Sequence, residues 1–146
     1  MPIYFYSTKD AYGAFSNFSA HPFELDGQSW PTSEHYFQAQ KFEDAPYREQ
    51  IRAAHSPMIA ARLGRSRAVP LRADWERVKD EVMLRAVRRK FESHPEIRAL
   101  LVSTGDEHLI ENAPNDSYWG CGKNGTGQNK LGQILMQVRQ ELREKP

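Results

Sequence analysis

A chain of 146 residues, 39% of them hydrophobic, carries 20 lysines and arginines against 19 aspartates and glutamates, for a net charge of +1. That length supports one hydrophobic core, hence a single domain over residues 1–146, and no apolar run approaches the roughly 20 residues of a membrane span. The even charge removes bulk attraction to nucleic acid, the lone Cys121 excludes an internal disulfide and paired-cysteine zinc sites, and the start MPIYFYSTKD lacks the basic flank and apolar stretch of a secretory signal, which points to the cytosol.

Extended structure comes first. Ile3 to Ser7 reads as a strand, and so does HPFELDGQSW, where Phe23 and Leu25 alternate before Asp26-Gly27, a dipeptide that favours a tight hairpin turn. At Pro31-Thr32-Ser33 a hydroxyl can cap a helix that places Glu34 in its first turn and runs to about Phe42. Two shorter helices follow, Tyr47 to His55 and Pro57 to Leu63, with Gly64 as the stop of the second. Asp74 can cap a longer helix in which Trp75, Val78, Val82, Ala86 and Phe91 fall at helical spacing until His94-Pro95. Pro95 opens another short helix, HLIENA reads as a late strand, and Leu131, Ile134, Leu135, Val138 and Leu142 make the apolar stripe of a final helix capped by Asn129. With no repeat or linker, the pattern predicts a compact, helix-rich α+β domain with a small sheet.

Polar residues on the first helix suggest chemistry. In WPTSEHYFQAQK, Glu34 and Lys41 are seven positions apart, almost two helical turns, so both point the same way with Gln38 between them. A separation of about 10 Å along the axis is too long for a routine ion pair and suits a grip on two ends of a small substrate. Phe37 and Phe42 flank that line, so the segment alone allows either a solvated helix face or the wall of a pocket.

The other end of the chain offers a second feature. NDSYWGCGKNGTGQNKLG sets Gly120, Gly122, Gly125 and Gly127 ahead of the last helix, where open backbone N–H groups could cradle phosphate. The GxGxxG match from Gly120 to Gly125 is not a dinucleotide fingerprint, because no apolar strand precedes it and no room remains for a βαβ unit. Tyr118 and Trp119 could stack on a heteroaromatic ring and Asp116 could hold a sugar hydroxyl, or all three could be packing residues. Eleven of the thirteen arginines lie between Arg48 and Arg98, as a solvated surface or as a face that attracts phosphate. Histidines 21, 35, 55, 94 and 108 show no metal-binding spacing, and His35 reads as packing or as a partner to its neighbours.

Together FSNF (Phe15 to Phe18), WPTSEHYFQAQK (Trp30 to Lys41), DWERVKDEVM (Asp74 to Met83) and DSYWGCGKNGTGQNKLGQILMQVR (Asp116 to Arg139) resemble the NADAR family, also called YbiA-like, in matching order over nearly the whole chain. The resemblance implies a compact α+β fold and cleavage of N-glycosidic bonds, either in early riboflavin-pathway intermediates bearing a ribosylamino-pyrimidine phosphate or in ADP-ribosylated guanine. It maps the family's acid onto Glu34 and its lysine onto Lys41. Asn17, Phe18, Gln38, Trp75, Asp116, Tyr118, Trp119, Gly120, Gly127 and Asn129 are then the candidate substrate-binding residues, with no cofactor and no metal. Residues 64–74, rich in arginine, match no family block.

For a ribose on an exocyclic amine, ring opening gives an imine at C1′, and a lysine amine can exchange with the departing base to form a Schiff base that water then hydrolyses. Lys41 is the candidate nucleophile and Glu34 first a base, since a helix N-terminus favours its ionised form. Direct hydrolysis, with Lys41 holding phosphate or sugar, is the alternative mechanism; ordinary glycosidases use two carboxylates, and only Asp116 offers a second. A non-catalytic module binding ADP-ribose or a nucleotide is the alternative function, and contact with ADP-ribosylated nucleic acid through the arginines is a further expectation.

Overall fold

The computed structural model describes residues 1–145. The chain forms two compact units, one of Met1–Ser19 with the stretch that begins at Phe91, the other of Ala20–Lys90. The fold is α+β.

In the Ala20–Lys90 unit, β2 (Phe23–Leu25) and β3 (Gln28–Trp30) pair antiparallel with Leu25 opposite Gln28, after β1 (Ile3–Phe5) of the other unit. Asp26 and Gly27 make the turn at φ of 55° and 78°, the left-handed pair that the Asp-Gly dipeptide predicts. Helix α1 (Ser33–Ala39) starts where Thr32 Oγ1 accepts the His35 N–H at 3.1 Å. It ends earlier than predicted: Lys41 N–H donates to Gln38 O and Phe42 N–H to Ala39 O, so Lys41 sits in a tightened turn after the helix rather than on it. Arg72 N–H then takes the Lys41 carbonyl at 2.8 Å, which holds that turn in place.

Helices α2 (Ala45–Arg52) and α3 (Pro57–Arg65) are capped by Asp44 and Ser56, whose side chains accept from Tyr47 N–H and Ile59 N–H. Gly64 lies inside α3, not beyond its end, which corrects the expectation that it stops the helix. Helix α4 (Trp75–Ser93) carries Trp75, Val82, Ala86 and Phe91 in the core, and the boundary between the units falls within it. Tyr36 Oη donates to Asp26 Oδ2 at 2.7 Å and Arg85 of α4 donates to Asp26 Oδ1 at 2.5 Å, pinning the hairpin turn to both helices.

Lys90, beside Arg88 and Arg89 in sequence, is only 1% exposed, and burial pushes its ammonium down to about 7. The linkage has a definite sign. A folded-state value below the unfolded one destabilises the fold as pH falls from about 10 to about 7, and the loss is complete below that window. Lys90→Met therefore raises Tm more at about pH 6 than at about pH 9.5, measured by calorimetry against the native chain.

In the other unit, β1 runs parallel to β4 (Leu109–Glu111), with Ile3 opposite Leu109. Helices α5 (Pro95–Ser103) and α6 (Lys130–Glu144) complete it, with Phe5, Phe15, Phe91, Leu101, Leu109, Leu131 and Leu135 buried. Asn129 precedes α6 in the left-handed region at φ 52° and makes no side-chain cap, contrary to the predicted capping role. Its amide instead spans β4, with Oδ1 accepting Glu111 N–H at 2.9 Å and Nδ2 donating to Leu109 O at 2.8 Å. No helix among the described residues is long and apolar enough to cross a membrane.

Candidate functional site

Every residue of α1 from Ser33 to Ala39 is buried, so the solvated-face reading of this helix is excluded. A buried carboxylate and a buried amide need partners. Gln38 Nε2 donates to Glu34 Oε2 at 2.7 Å, one helical turn away, and these side chains are 6% and 9% exposed. Lys41 is half-buried in the turn that follows, its Nζ 5.7 Å from the centre of the Phe37 ring, and Phe37 packs at 5.1 Å against the Trp75 ring. Burial lowers the Lys41 ammonium to about 8; the Glu34 carboxylate opposes that shift, while Arg67, Arg65 and Lys79 add to it. A lysine at about 8 carries a substantial neutral fraction near physiological pH, which nucleophilic attack requires.

Glu34, Gln38, Lys41 and Trp75 thus meet in one unit, although the path differs from the straight helical line expected. Phe42 takes no part: fully buried, it packs edge-on against Tyr47 at 4.8 Å. His35 is structural. Its Nε2–H donates to the Ala54 carbonyl at 3.0 Å, so Nδ1 accepts from the Thr32 hydroxyl at 2.8 Å, and burial lowers its pKa against the opposing pull of that carbonyl. A separate groove of about 300 Å³ is lined by Glu43, Asp44 and residues 69–73, and none of the four candidate side chains lines it. Two carboxylates on its wall disfavour a phosphorylated ligand, and the Arg72 guanidinium is already held by Asp74 at 2.6 and 3.0 Å.

The remaining predicted residues belong to the other unit. Asn17 is buried and Phe18 is 38% exposed, in the turn after a short 3-10 helix (Gly13–Phe15). Asp116 Oδ1 accepts from the N–H groups of Tyr118 and Trp119 at 3.0 and 2.8 Å, and those two rings stand edge to face at 4.9 Å. Several backbone donors of the glycine-rich loop turn inward: Cys121 to Glu111 O, Gly122 to Ala113 O, Gly127 to Cys121 O, Gln128 to Ser117 O and Asn129 to Gly120 O. Gly120 and Gly127 are needed for that closure, since a Cβ on Gly127 would lie 2.6 Å from Gly120 O and one on Gly120 would lie 2.8 Å from Ala113 Cβ.

Comparison with known proteins places the whole arrangement. The NADAR domain model matches residues 4–143, across both units. The chain belongs to the NADAR family. This NADAR chain is 59% identical over 140 residues to N-glycosidase YbiA of Shigella boydii, covering 96% of the chain and 88% of that protein. It is 44% identical over 155 residues to the chloroplastic riboflavin biosynthesis protein PYRR of Zea mays, covering 96% of the chain and 25% of that longer protein. The NMR structure of Escherichia coli YbiA superimposes with a TM-score of 0.91 at 57% identity, over 98% of this chain and 85% of that one. The α+β architecture and the family resemblance of the sequence motifs are both borne out.

Proposed function

We propose that Glu34 and Lys41 carry the reaction of this NADAR protein, with a ribosyl phosphate attached through an exocyclic amine as substrate. The chain is an N-glycosidase, a hydrolase of N-glycosyl bonds, as its 59% identity to a protein of that name supports. The observation that carries the residue assignment is the burial of Glu34 and Gln38 on a helix without a solvated face, beside a lysine lowered to about 8.

The chemistry follows from those groups. The ring oxygen takes a proton from solvent and C1′–O4′ cleaves, the electron pair of the exocyclic nitrogen forming a C1′=N iminium. The neutral Lys41 Nζ adds to C1′, and Glu34 accepts the proton released from that nitrogen and returns it to the departing amine. The C1′–N bond to the base breaks, leaving C1′ doubly bonded to Nζ. Water, deprotonated by Glu34, adds to C1′; Glu34 passes that proton to Nζ, and the C1′–Nζ bond breaks as the C1′ hydroxyl becomes a carbonyl and loses its proton to solvent, freeing the ribose phosphate and the neutral lysine.

The likeness to a maize riboflavin biosynthesis protein favours a ribosylamino-pyrimidine phosphate, with ADP-ribosylated guanine as the other member of the same bond class. Assays of both substrates side by side, following free base and ribose phosphate or ADP-ribose, test it. The reading requires faster turnover of the pyrimidine; turnover confined to ADP-ribosyl-guanine overturns the substrate, and turnover of neither overturns the assignment.

Arg65 and Arg67, exposed near the end of α3, add to the positive field at Lys41 and are suited to meet the substrate's phosphate. The Arg65→Gln/Arg67→Gln variant is expected to raise KM about tenfold for the phosphorylated substrate and to leave its dephosphorylated analogue unaffected. Because both cations depress the lysine, the midpoint of the rise of its kcat/KM with pH moves above about 8.

A further inference from the structure

We infer that Gly64 is a positioning residue for the reaction, acting through Gln38 on Glu34; this rests on the assignment of Glu34 above. A glycine inside a helix is less stable than alanine, so its presence in the last turn of α3 calls for a reason. Its backbone supplies none, for Gly64 is helical and needs no left-handed conformation. The reason is contact. A Cβ built on Gly64 would overlap Gln38 Oε1, approach Gln38 Cδ at 2.6 Å and lie 3.0 Å from Gln38 Cβ. Helix α3 therefore comes up against the Gln38 amide with nothing but a glycine at the meeting point.

That amide has a fixed orientation. Nε2 donates to Glu34 Oε2 at 2.7 Å, while Oε1, buried on the Gly64 side, has no hydrogen-bond partner. An unpaired buried acceptor is unfavourable, yet turning the amide over would set its oxygen against the Glu34 carboxylate and lose the one bond it makes. Gly64 leaves room for the arrangement that serves Glu34. A methyl group there displaces the most movable atoms it meets, the tip of Gln38, and so pulls the donor away from Glu34. A carboxylate that loses a donor is less fixed in direction and holds its proton to higher pH.

Gly64→Ala is therefore expected to lower kcat by roughly tenfold to a hundredfold with little change in KM, and to move the titration of the Glu34 carboxyl to higher pH. The decisive comparison is made in the Gln38→Ala background. With the amide gone, only the Cβ contact at 3.0 Å remains for the new methyl to relieve, and the double variant matches Gln38→Ala in kcat and in the Glu34 titration. An equal loss from Gly64→Ala in both backgrounds overturns the inference, as does wild-type kcat in a folded Gly64→Ala protein. If Gly64→Ala alone does not fold, the double variant decides: it folds and matches Gln38→Ala, and a double variant that also fails to fold makes Gly64 a packing residue only. Carbon-13 NMR titration of the Glu34 carboxyl in substrate-free protein separates this inference from the functional assignment. Gly64→Ala moves that titration to higher pH whether or not any tested substrate turns over, and an unmoved titration refutes the positioning role.

Discussion

Lys41→Ala is expected to lower kcat by about four orders of magnitude while the protein stays folded, because water at large must then do what a held amine did. Lys41 is half-buried, so truncation removes little core packing, and a Tm near that of the native chain is the control. Lys41→Arg separates two roles for the same residue. Arginine keeps the positive charge and can hold a phosphate, yet it never offers a neutral amine. Loss in Lys41→Arg comparable to that in Lys41→Ala assigns the residue as nucleophile, whereas activity near wild type in Lys41→Arg assigns it to anion binding and favours direct hydrolysis. In the native enzyme kcat/KM rises with pH through an apparent value near 8, the point at which Lys41 becomes neutral, rather than near the 10.5 of an ordinary lysine.

Glu34→Gln is the second large effect, about a hundredfold to ten-thousandfold in kcat, the span associated with a positioned proton-transfer group. Glutamine fills the same buried space next to Gln38 and cannot take a proton. The substitution carries a second signature, in the pH dependence of the lysine. The Glu34 carboxylate raises the Lys41 value, so its neutralisation lowers it, and the residual activity of Glu34→Gln rises with pH through a midpoint below about 8. Stopped-time assays between about pH 6 and pH 10 with the pyrimidine substrate measure both the loss and the displacement. A profile of unchanged midpoint would show that the two groups are not electrostatically coupled.

The parts of this structure legible in the sequence are those fixed by nearest neighbours in the chain. Asp26-Gly27 dictated a hairpin because its backbone preference is local, and Thr32 marked the start of α1 because its side chain reaches only to residue 35. The end of α1 was not legible, since the Lys41 carbonyl is taken by Arg72, thirty-one positions on, and no local pattern announces that bond. Gly64 was misread for a similar cause: a glycine near a helix end suggests a stop, but here the approach of Gln38 decides the residue type. Glu34 and Lys41 stood out as an acid and an amine among aromatic residues, while the burial that makes them chemically interesting depends on α3 and on Trp75. From Gly120 to Gly127 sequence shows a supply of backbone donors and not the acceptors that several of them take within the chain. Lys90 drew no notice within a run of arginines, where a cation on the surface is the ordinary reading, and only the packing of α4 reveals it as interior.

Lys90, at about 7, is the other lysine whose ammonium is strongly depressed, but at 1% exposure it is closed to substrate. That contrast makes one measurement the most direct. The enzyme is mixed with ribosylamino-pyrimidine phosphate and borohydride during turnover, digested, and the adduct located by mass spectrometry. A reduced ribosyl-phosphate adduct on the peptide bearing Lys41, missing from Lys41→Ala, is the predicted result. Full consumption of substrate with Lys41 unmodified would contradict the account, because a covalent amine intermediate on that residue is the step that the proton transfers of Glu34 serve.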